Sequence, residues 1–580
     1  MIKTFLKCVR EYKAPTIITL LFMVFEVLIE VLIPFFTADL VNDIKAGAPM
    51  KEVVRIGLIL VVMAVISLLC GAGGGYMGSK ASTGFARNVR RDVFERIQHF
   101  SFENIDKFST ASLVTRLTTD ISSVQMAFMM AIRLAVRAPL MFVFSIIMAY
   151  RMGGALATSF VVVVPVLIVG LLVIAKHAMP AFRAVFRKYD RMNESIEENV
   201  RGMRVVKGFA REDFEKQKFA SASDNIRRDF TKAERIVALN SPLMTLCMNF
   251  NMVFVLLIGA KIIVESRGQV IDVGQISAML TCGMQILMSL MMISMIYVMM
   301  TMSLEAMKRL AEVLNEQPSL SNPENPVMEV ADGSIDFEDV SFKYAKTAKE
   351  NALADVNVHI ASGMTVGILG GTGSGKTTLV QLIPRLYDVT EGSVKVGGRD
   401  VRDYDIETLR SAVSMVLQKN VLFSGTIREN LRWGNPAATD EELVEACRLA
   451  QADDFIRSFP DGYDTHIEQG GTNVSGGQKQ RLCIARALLK KPKILILDDS
   501  TSAVDTRTDA MIRAGFRTYI PETTKIIIAQ RVASVQDADL ILVMDGGRIA
   551  DAGKHEELLR RSPIYREVYE QQTKGGDSDE

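Results

Sequence analysis

Residues 365–379 read TVGILGGTGSGKTTL, an apolar strand followed by a glycine-rich turn and the start of a helix. The turn, GGTGSGKT at 370–377, is a complete phosphate-binding loop. Its glycines let backbone N–H groups wrap around phosphate oxygens, and the helix N-terminus adds positive potential. The pattern therefore predicts an α/β domain that binds ATP.

This loop supplies candidates for holding the nucleotide and its metal ion. Lys376 is expected to reach the β- and γ-phosphates, and Thr377 is expected to ligate Mg²⁺. The predicted nucleotide-binding residues of the segment are Gly370, Gly371, Thr372, Gly373, Ser374, Gly375, Lys376, Thr377 and Thr378.

A second apolar strand ends in two acids. Residues 494–499 read ILILDD. The first acid, Asp498, closes the strand and is placed to hold Mg²⁺ through water. This stretch therefore predicts the metal-binding side of the same site.

Outside these motifs the chain is unusually aliphatic. Of 580 residues, 49% are hydrophobic, 7% aromatic and 23% charged. The aliphatic excess lies in the first half, which predicts membrane segments, and length alone predicts about two to four domains. The net charge of +1 gives no support to a nucleic-acid partner. Six scattered cysteines support neither a disulfide framework nor a zinc site.

Six stretches are long and apolar enough to span a membrane, which takes about 20 residues. They lie at about 15–38, 54–76, 127–150, 155–176, 236–264 and 274–302. The long connections after the second and fourth spans carry most of the lysines and arginines, so the positive-inside rule places them in the cytoplasm. Because the number of spans is even, both termini are expected there too. The first residues do not have the pattern of a secretory signal, so none is expected.

The long connections have a helical pattern. Residues 85–99 and 189–235 place apolar residues three and four apart between charges. They are either solvated helix faces or extensions of the spans that contact a soluble domain. In the second case the turns near Ser101–Thr110 and Gly208–Asp213 are the expected contact points.

The composition divides the chain into domains. An all-α transmembrane domain of six helices is predicted over 1–310, and a linker over 311–333, which includes NEQPSLSNPENPV at 315–327. Short β-type runs then alternate with turns and helices, which predicts an α/β nucleotide-binding domain over 334–573. The tail, 574–580, is expected to be disordered.

Residues 474–481 read VSGGQKQR and lie about 100 residues after the phosphate-binding loop, shortly before ILILDD. In that context the chain resembles the ABC transporter ATPase family over residues 334 to about 572. The six preceding spans match the exporter type, in which membrane and ATPase domains are fused in this order. The resemblance implies two ATPase domains facing head to tail, with each ATP between one subunit's loop and the other's Ser475, Gly476, Gly477 and Gln478.

The resemblance assigns four more residues. Tyr344 matches an aromatic ring that stacks on adenine; the alternative is a tyrosine in the domain core. Gln418 matches a glutamine that touches Mg²⁺ and contacts the membrane domain. Glu468 resembles an acid that senses the neighbouring subunit's cytoplasmic loops, and Asp505 matches the loop that crosses the dimer interface.

Two catalytic positions depart from the family. Asp499 stands where a glutamate is usual, which retracts the carboxylate by about one carbon–carbon bond, and a displacement of about 1 Å can cost on the order of a hundredfold in rate. Gln530 stands where a histidine is usual, and an amide cannot exchange a proton. The two changes either are tolerated variation in a working ATPase or mark a specialised site with slow hydrolysis.

The combination resembles the degenerate-site subunit of heterodimeric bacterial multidrug ABC exporters. That resemblance implies a site on Lys376 and Asp498 that holds ATP with little turnover. It also implies a partner whose catalytic site is completed by Ser475–Gln478.

The membrane half contributes weaker signals. Glu26 and Glu30 share one helix face, as do Arg133 and Arg137. Ion pairing between spans is the favoured interpretation, and a pathway for a charged substrate is the alternative. Methionines are flexible and suit pockets of variable shape, but they suit lipid-facing and packing positions equally well. The last span carries Met279, Met284, Met288, Met291, Met292, Met295, Met299 and Met300.

The sequence therefore predicts one subunit of an ATP-driven exporter in a bacterial cytoplasmic membrane, moving small amphipathic or hydrophobic compounds. ATP, Mg²⁺ and a second half-transporter are the expected cofactors and partner. The alternatives are a dedicated peptide or lipid exporter, a homodimeric exporter with slow ATPase, and an ATP-gated channel. A soluble ATPase acting on DNA or ribosomes is disfavoured by the six spans.

Overall fold

A computed structural model describes residues 2–267, 269–345, 348–499 and 504–576. The chain forms two compact units. The first comprises Met1–His99 and Ser109–Glu316, and the second comprises Phe100–Phe108 and Gln317–Glu580.

The first unit is built from helices. In chain order, with α4 belonging to the second unit, the helices are α1 Ile2–Lys7, α2 Lys13–Lys45, α3 Met50–Gln98, α4 Phe102–Lys107, α5 Thr110–Thr115, α6 Ile121–Gly153, α7 Ser159–Arg201, α8 Met203–Gly208, α9 Glu212–Ala238, α10 Asn240–Ser266 and α11 Val273–Asn315. Short 3₁₀ turns lie at Arg10–Tyr12 and Gly154–Thr158, and a π-helical turn at Arg116–Asp120 joins α5 to α6.

Six helical stretches are long and apolar enough to cross a membrane, which confirms the predicted all-α membrane domain. They are Arg10–Lys45, Met50–Gln98, Thr110–Gly153, Leu156–Phe182, Glu212–Ser266 and Val273–Asn315. The helix α3 has 49 residues, so at 1.5 Å per residue it is about 74 Å long. A hydrocarbon core is only about 30 Å thick. Helix α3 is therefore more than twice as long as the hydrocarbon core is thick.

Glycines on α3 allow α2 to approach closely. A Cβ atom at Gly74 would lie 2.4 Å from the Met23 methyl carbon, and one at Gly78 would lie 3.4 Å from Thr19. Met23 and Thr19 are fully buried between the helices. Small residues at helix contacts bring backbones together where lipid gives no hydrophobic driving force. The glycine-rich stretch of the second span is therefore a packing surface.

The second unit contains two main sheets. An antiparallel sheet has the order β2-β1-β4-β5, and a six-stranded sheet has the order β12-β11-β3-β10-β9-β6. A small ribbon pairs β7 with β8. The strands are β1 Ile335–Phe342, β2 Leu353–Ile360, β3 Thr365–Gly370, β4 Glu391–Val396, β5 Arg399–Asp400, β6 Val413–Val416, β7 Gly425–Thr426, β8 His466–Ile467, β9 Ile494–Asp498, β10 Thr524–Ile528, β11 Leu540–Asp545 and β12 Arg548–Gly553.

The five strands from β11 to β6 of the larger sheet are parallel. Every residue of β9 and β10 is buried, as expected for strands covered on both faces. This confirms the predicted α/β domain. The accompanying helices are α12 Lys376–Leu382, α13 Ile406–Ala412, α14 Ile427–Arg432, α15 Asp440–Leu449, α16 Asp453–Ser458, α17 Gly476–Leu489, α18 Thr506–Tyr519, α19 His555–Arg561 and α20 Pro563–Gly576.

Two segments differ from the sequence-based expectation. Helix α11 continues to Asn315, so 311–315 of the expected linker are helical, because the breaking prolines come only after Glu316. Helix α20 continues to Gly576, so 574–576 of the expected disordered tail are helical. Residues 577–580 lie outside the described residues.

Candidate nucleotide-binding site

Three parallel strands bring the predicted site together at one edge of the larger sheet. Ile528, which ends β10, pairs with Asp498 at the end of β9 and with Ile368 near the end of β3. The carboxyl ends of parallel strands form the ligand-binding edge in open α/β sheets. The phosphate-binding loop, the two acids and Gln530 therefore emerge side by side.

The loop between β3 and α12 requires glycine at defined positions. Gly373 and Gly375 have φ values of +81° and +94°, a region that side-chain-bearing residues rarely adopt. A Cβ at Gly375 would also lie 2.9 Å from the Ala352 carbonyl oxygen. At Gly371 and Gly373 a Cβ would meet nothing within 4 Å. The loop is thus anchored at its helical end and open where phosphates are expected.

Lys376 lies within this loop. Its Nζ atom donates to the carbonyl oxygens of Gly370, at 2.8 Å, and Gly371, at 2.7 Å. Burial lowers the pKa of the Lys376 amine, and the carboxylates of Asp498 and Asp499 oppose that shift. The loop therefore holds a cationic donor beside its open backbone.

The predicted magnesium ligands on the loop and on β9 are in contact. The Thr377 hydroxyl donates to Asp498 Oδ1 at 3.1 Å. Asp498 is buried, and this burial raises the pKa of its carboxyl group. Hydroxyl and carboxylate oxygens suit Mg²⁺, and a bound cation would offset the cost of burying the charge. These two side chains fit the metal site predicted for them.

The two unusual residues contact each other. Gln530 Nε2 donates to Asp499 Oδ2 at 2.6 Å, and Gln418 Nε2 donates to the same oxygen at 3.3 Å. Asp499 has a φ of +48°, and its backbone N–H donates to the Ile528 carbonyl at 3.0 Å. Strand pairing therefore fixes its backbone while two amides hold its carboxylate. The third predicted magnesium ligand, Gln418, is directed to this carboxylate.

Tyr344 lies at the surface beside α12, since 46% of the residue is exposed. This excludes the alternative of a core tyrosine. Its hydroxyl is 2.9 Å from Thr378 Oγ1 and donates to Gln381 Oε1 at 3.3 Å. A cavity of about 670 Å³ adjoins the ring and is also lined by Asn351 and Tyr387. The exposed ring is therefore available to stack on a base.

The SGGQ residues lie at the start of α17. Ser475 Oγ accepts from the Gln478 backbone N–H at 3.2 Å, and Gln478 Oε1 accepts from the Ser475 backbone N–H at 2.9 Å. This reciprocal capping box satisfies two helix-terminal donors. Within the described part of the chain, each of these two side chains accepts from the other residue's backbone N–H, and neither bonds to the phosphate-binding loop. Gly476 is exposed beside them.

Asp505 and Glu468, the other two residues assigned by resemblance, form hydrogen bonds with residues close to them in the sequence. Asp505 Oδ1 accepts from the Thr508 backbone N–H at 2.9 Å and caps α18, and such hydrogen bonds lower the pKa of Asp505. Glu468 Oε2 accepts from the Thr472 hydroxyl at 2.8 Å. Residues 500–503, which come shortly before Asp505 in the sequence, lie outside the described residues.

The segment that carries Gln530 is held by two hydrogen bonds from Gln572 that the sequence did not predict. Gln572 of α20 donates through Nε2 to the Gln530 carbonyl oxygen at 2.8 Å. Its Oε1 atom accepts from the Val532 backbone N–H at 2.8 Å. A glutamine 42 residues downstream on an amphipathic helix gave no sequence signal of this role.

A second contact that the sequence did not predict joins α4 to Tyr387, which lies beside Tyr344 in the same unit. The Tyr387 hydroxyl donates to Asp106 Oδ2 at 2.7 Å, and the Phe102 ring lies 6.0 Å from the Tyr387 ring. Burial and the Asp106 carboxylate raise the pKa of Tyr387. The Tyr387 ring in turn lies 5.3 Å from the Tyr344 ring, edge to face. The first of the turns considered as contact points, Ser101–Thr110, therefore contains a helix that packs against this soluble domain.

Comparison with known families identifies both halves. The model described as "ABC transporter transmembrane region" matches residues 16–310, and that described as "ABC transporter" matches residues 353–502. The chain belongs to the ABC transporter family.

Several bacterial ABC transporters resemble this one along most of their length. An uncharacterised ABC transporter ATP-binding protein of Mycobacterium tuberculosis is 36% identical over 564 residues, which is 96% of each chain. A counterpart in Bacillus subtilis is 34% identical over 98% of each chain. A protein named fatty acid ABC transporter ATP-binding/permease protein, from Mycobacterium bovis, is 34% identical over 82% of this chain and 75% of its own.

Among solved structures, a bacterial Atm1-family ABC exporter with ATP bound matches with a TM-score of 0.83 and 26% identity. The match covers 96% of this chain and 98% of that one. This ABC transporter therefore has the exporter fold, with six apolar helices followed by an ATP-binding domain of the ATPase type.

Proposed function

We propose that this ABC transporter is the slow-site subunit of a heterodimeric exporter. The 2.6 Å hydrogen bond between Gln530 and Asp499 supports this proposal most directly. This bond connects Asp499 and Gln530, the two residues that differ from the family, at the position where hydrolysis is normally catalysed. A single tolerated substitution would not require a matched change in its neighbour.

ATP binding is assigned to the residues at the sheet edge. The loop backbone and Lys376 hold the phosphates, and Tyr344 stacks on adenine. Thr377 and Asp498, already in contact at 3.1 Å, hold Mg²⁺, with Gln418 as the third ligand. When bound, the ion neutralises charge on the β- and γ-phosphates.

Turnover at this site is expected to be weak. A general base must come within about 2.6–3.2 Å of the water that it activates. The Asp499 side chain is one methylene short, and its carboxylate accepts two amide hydrogen bonds. Gln530 cannot carry a positive charge or exchange a proton. The site therefore binds ATP and releases it mainly unhydrolysed.

The SGGQ segment is assigned to the partner's ATP. Ser475 and Gln478 form a complete helix cap, and Gly476 is exposed beside it. An intact helix start suits the recognition of an anion. Asp505 and Glu468 are assigned to contacts across the same interface. A homodimer would contain two slow sites by symmetry, so a partner with a glutamate and a histidine explains why the SGGQ segment is kept.

The transported compounds are proposed to be small and amphipathic or hydrophobic. On α11, Met284, Met288, Met291 and Met295 are exposed and Met279 is fully buried, and exposed methionines suit variable apolar ligands. The relative named as a fatty acid transporter favours a second candidate, a dedicated lipid exporter. Transport assays with fluorescent amines and with fatty acids separate the two candidates. The location is proposed to be the bacterial cytoplasmic membrane, with both termini and the ATPase domain cytoplasmic.

A test of the pairing compares two sites of one complex in lipid nanodiscs. Ser475→Asp keeps a side chain suited to the helix N-cap but places a carboxylate where the partner's phosphates are expected. It should abolish ATPase activity of the complex, whereas the matched variant Ser475→Thr should retain it. Asp499→Asn should leave the rate within about twofold. An ATPase rate that depends on Asp499 and not on Ser475 would refute the proposed division of roles.

A further inference from the structure

The membrane unit contains a cluster of four ionisable side chains on two adjacent helices. Glu26 and Glu30 lie one turn apart on α2, and Arg133 and Arg137 lie one turn apart on α6. Arg137 Nη2 donates to both carboxylate oxygens of Glu30, at 2.8 and 2.9 Å. Glu30 and Arg137 therefore form a direct ion pair between the two spans.

Glu26 takes little part in that pair. The same Arg137 Nη2 atom lies 3.5 Å from Glu26 Oε1. The other oxygen, Oε2, is buried and has no hydrogen-bond partner among the residues that the structure describes. The residue as a whole is only 8% exposed. An ionised carboxylate at this position would have one oxygen with neither water nor a donor.

The third adjacent helix, α3, has a glycine facing Glu26. It presents Gly71, where a Cβ atom would lie 3.2 Å from Glu26 Oε1. Arg133 is partly exposed, and its guanidinium lies beside Gly75, 3.6 Å from where a Cβ would be. The titratable and charged groups around Glu26 are Glu30 on its own helix, Arg133 and Arg137 on α6, and Cys70 on α3.

From this geometry we propose that Glu26 is a proton-binding site in the membrane domain. Binding forms one O–H bond on Oε2 with a proton taken from water, and the carboxylate loses its charge. A neutral carboxyl group is less costly to bury than a carboxylate with one oxygen that accepts no hydrogen bond. A proton is small enough to bind the enclosed oxygen with the helices in place, whereas an organic ammonium ion would have to push α2 away from α3 and α6.

The shared arginine links this proton to the arrangement of the helices. One Nη2 atom lies 2.8 Å from Glu30 and 3.5 Å from Glu26, so a shift of under about 1 Å along the helix surface exchanges its partner. When Arg137 pairs with Glu30, Glu26 holds the proton. When Arg137 pairs with Glu26, that proton is released to water. Relative movement of α2 and α6 therefore changes the protonation of the cluster.

Infrared spectroscopy of the full-length protein in lipid nanodiscs tests this proposal without reference to transport. At neutral pH the protein should show the carbonyl stretch of a protonated, buried carboxylic acid, and labelling of glutamate with ¹³C should shift that band. Glu26→Gln should remove the band. The control Glu52→Gln, an exposed glutamate at the start of α3, should leave it intact.

A second variant tests the proposal independently of whether Glu26→Gln folds. Glu30→Gln frees Arg137 to pair with Glu26, so the band should weaken at neutral pH and recover as the pH is lowered. A protein with no such band at neutral pH would overturn the proposal. A band that survives Glu26→Gln, or one that Glu30→Gln leaves unchanged, would do so as well.

Discussion

Restoring the usual pair of catalytic side chains should convert the slow site into a fast one. The change is Asp499→Glu combined with Gln530→His. The longer side chain returns the carboxylate to the reach lost by one methylene, and a placement error of about 1 Å costs on the order of a hundredfold in rate. Asp499→Glu alone should therefore raise the turnover of the isolated chain by about ten- to a hundredfold.

The second change should act through the contact described above. A hydrogen bond to a charged group contributes about 1.5–3 kcal/mol, and Gln530 donates one to Asp499 at 2.6 Å. A carboxylate that takes a proton from water must give up part of that interaction. Because the two side chains touch, their effects should be coupled, with a non-additive term of about 0.5–3 kcal/mol.

The measurement is single-turnover phosphate release from the full-length chain in nanodiscs. It is made on the unaltered chain, on each single variant and on the double variant. ATP affinity is measured separately by equilibrium binding, and Lys376→Ala supplies the background rate. The double variant should be the fastest, with ATP affinity unchanged. Brisk turnover by the unaltered chain, or no gain in the double variant while ATP still binds, would refute the reasoning.

Three further changes test contacts found in the fold. Gln572→Ala removes two hydrogen bonds to the segment that carries Gln530, so amide hydrogen exchange there should quicken by about five- to a hundredfold, whereas Gln571→Ala should not change it. Gly274→Ala places a Cβ 2.1 Å from a backbone oxygen of α2, so it should destabilise the membrane domain by about 1–3 kcal/mol and lower its melting temperature. At Gly57 a Cβ meets nothing within 4 Å, so the control Gly57→Ala should not lower the melting temperature. Tyr387→Phe removes a hydrogen bond to the Asp106 carboxylate and should lower the melting temperature of the soluble domain, with no such loss when Asp106 is already replaced by alanine.

The elements that the sequence predicted best are those whose causes are local. A glycine-rich turn between an apolar strand and a helix specifies its own conformation, as at Gly373 and Gly375. The fully buried β9 is a continuous apolar run that strand patterns identify directly. Six apolar stretches likewise predict six helices, since backbone groups in a membrane must be satisfied within the segment.

Contacts set by tertiary packing were less predictable. Asp499 and Gln530 lie 31 residues apart, and they meet only because β9 and β10 pair in register. The two charged pairs of the membrane half were predicted to share helix faces, but the sequence could not assign Arg137 to Glu30 and leave Glu26 nearly unpaired. Helix ends were also imprecise, because α11 continues to Asn315, five residues beyond the predicted end of its domain.

Helix α4 has a consequence for how this protein can be divided or recombined. Its residues fall between two membrane spans in the sequence, yet they group with the soluble unit, where Asp106 and Phe102 contact Tyr387. A fragment that begins at Gln317 would lack this helix and expose the surface that it covers. Fusions that exchange ATPase domains between relatives would break the same contacts unless α4 is exchanged as well. Selection on residues 102–107 should therefore follow the ATPase half rather than the spans that flank them.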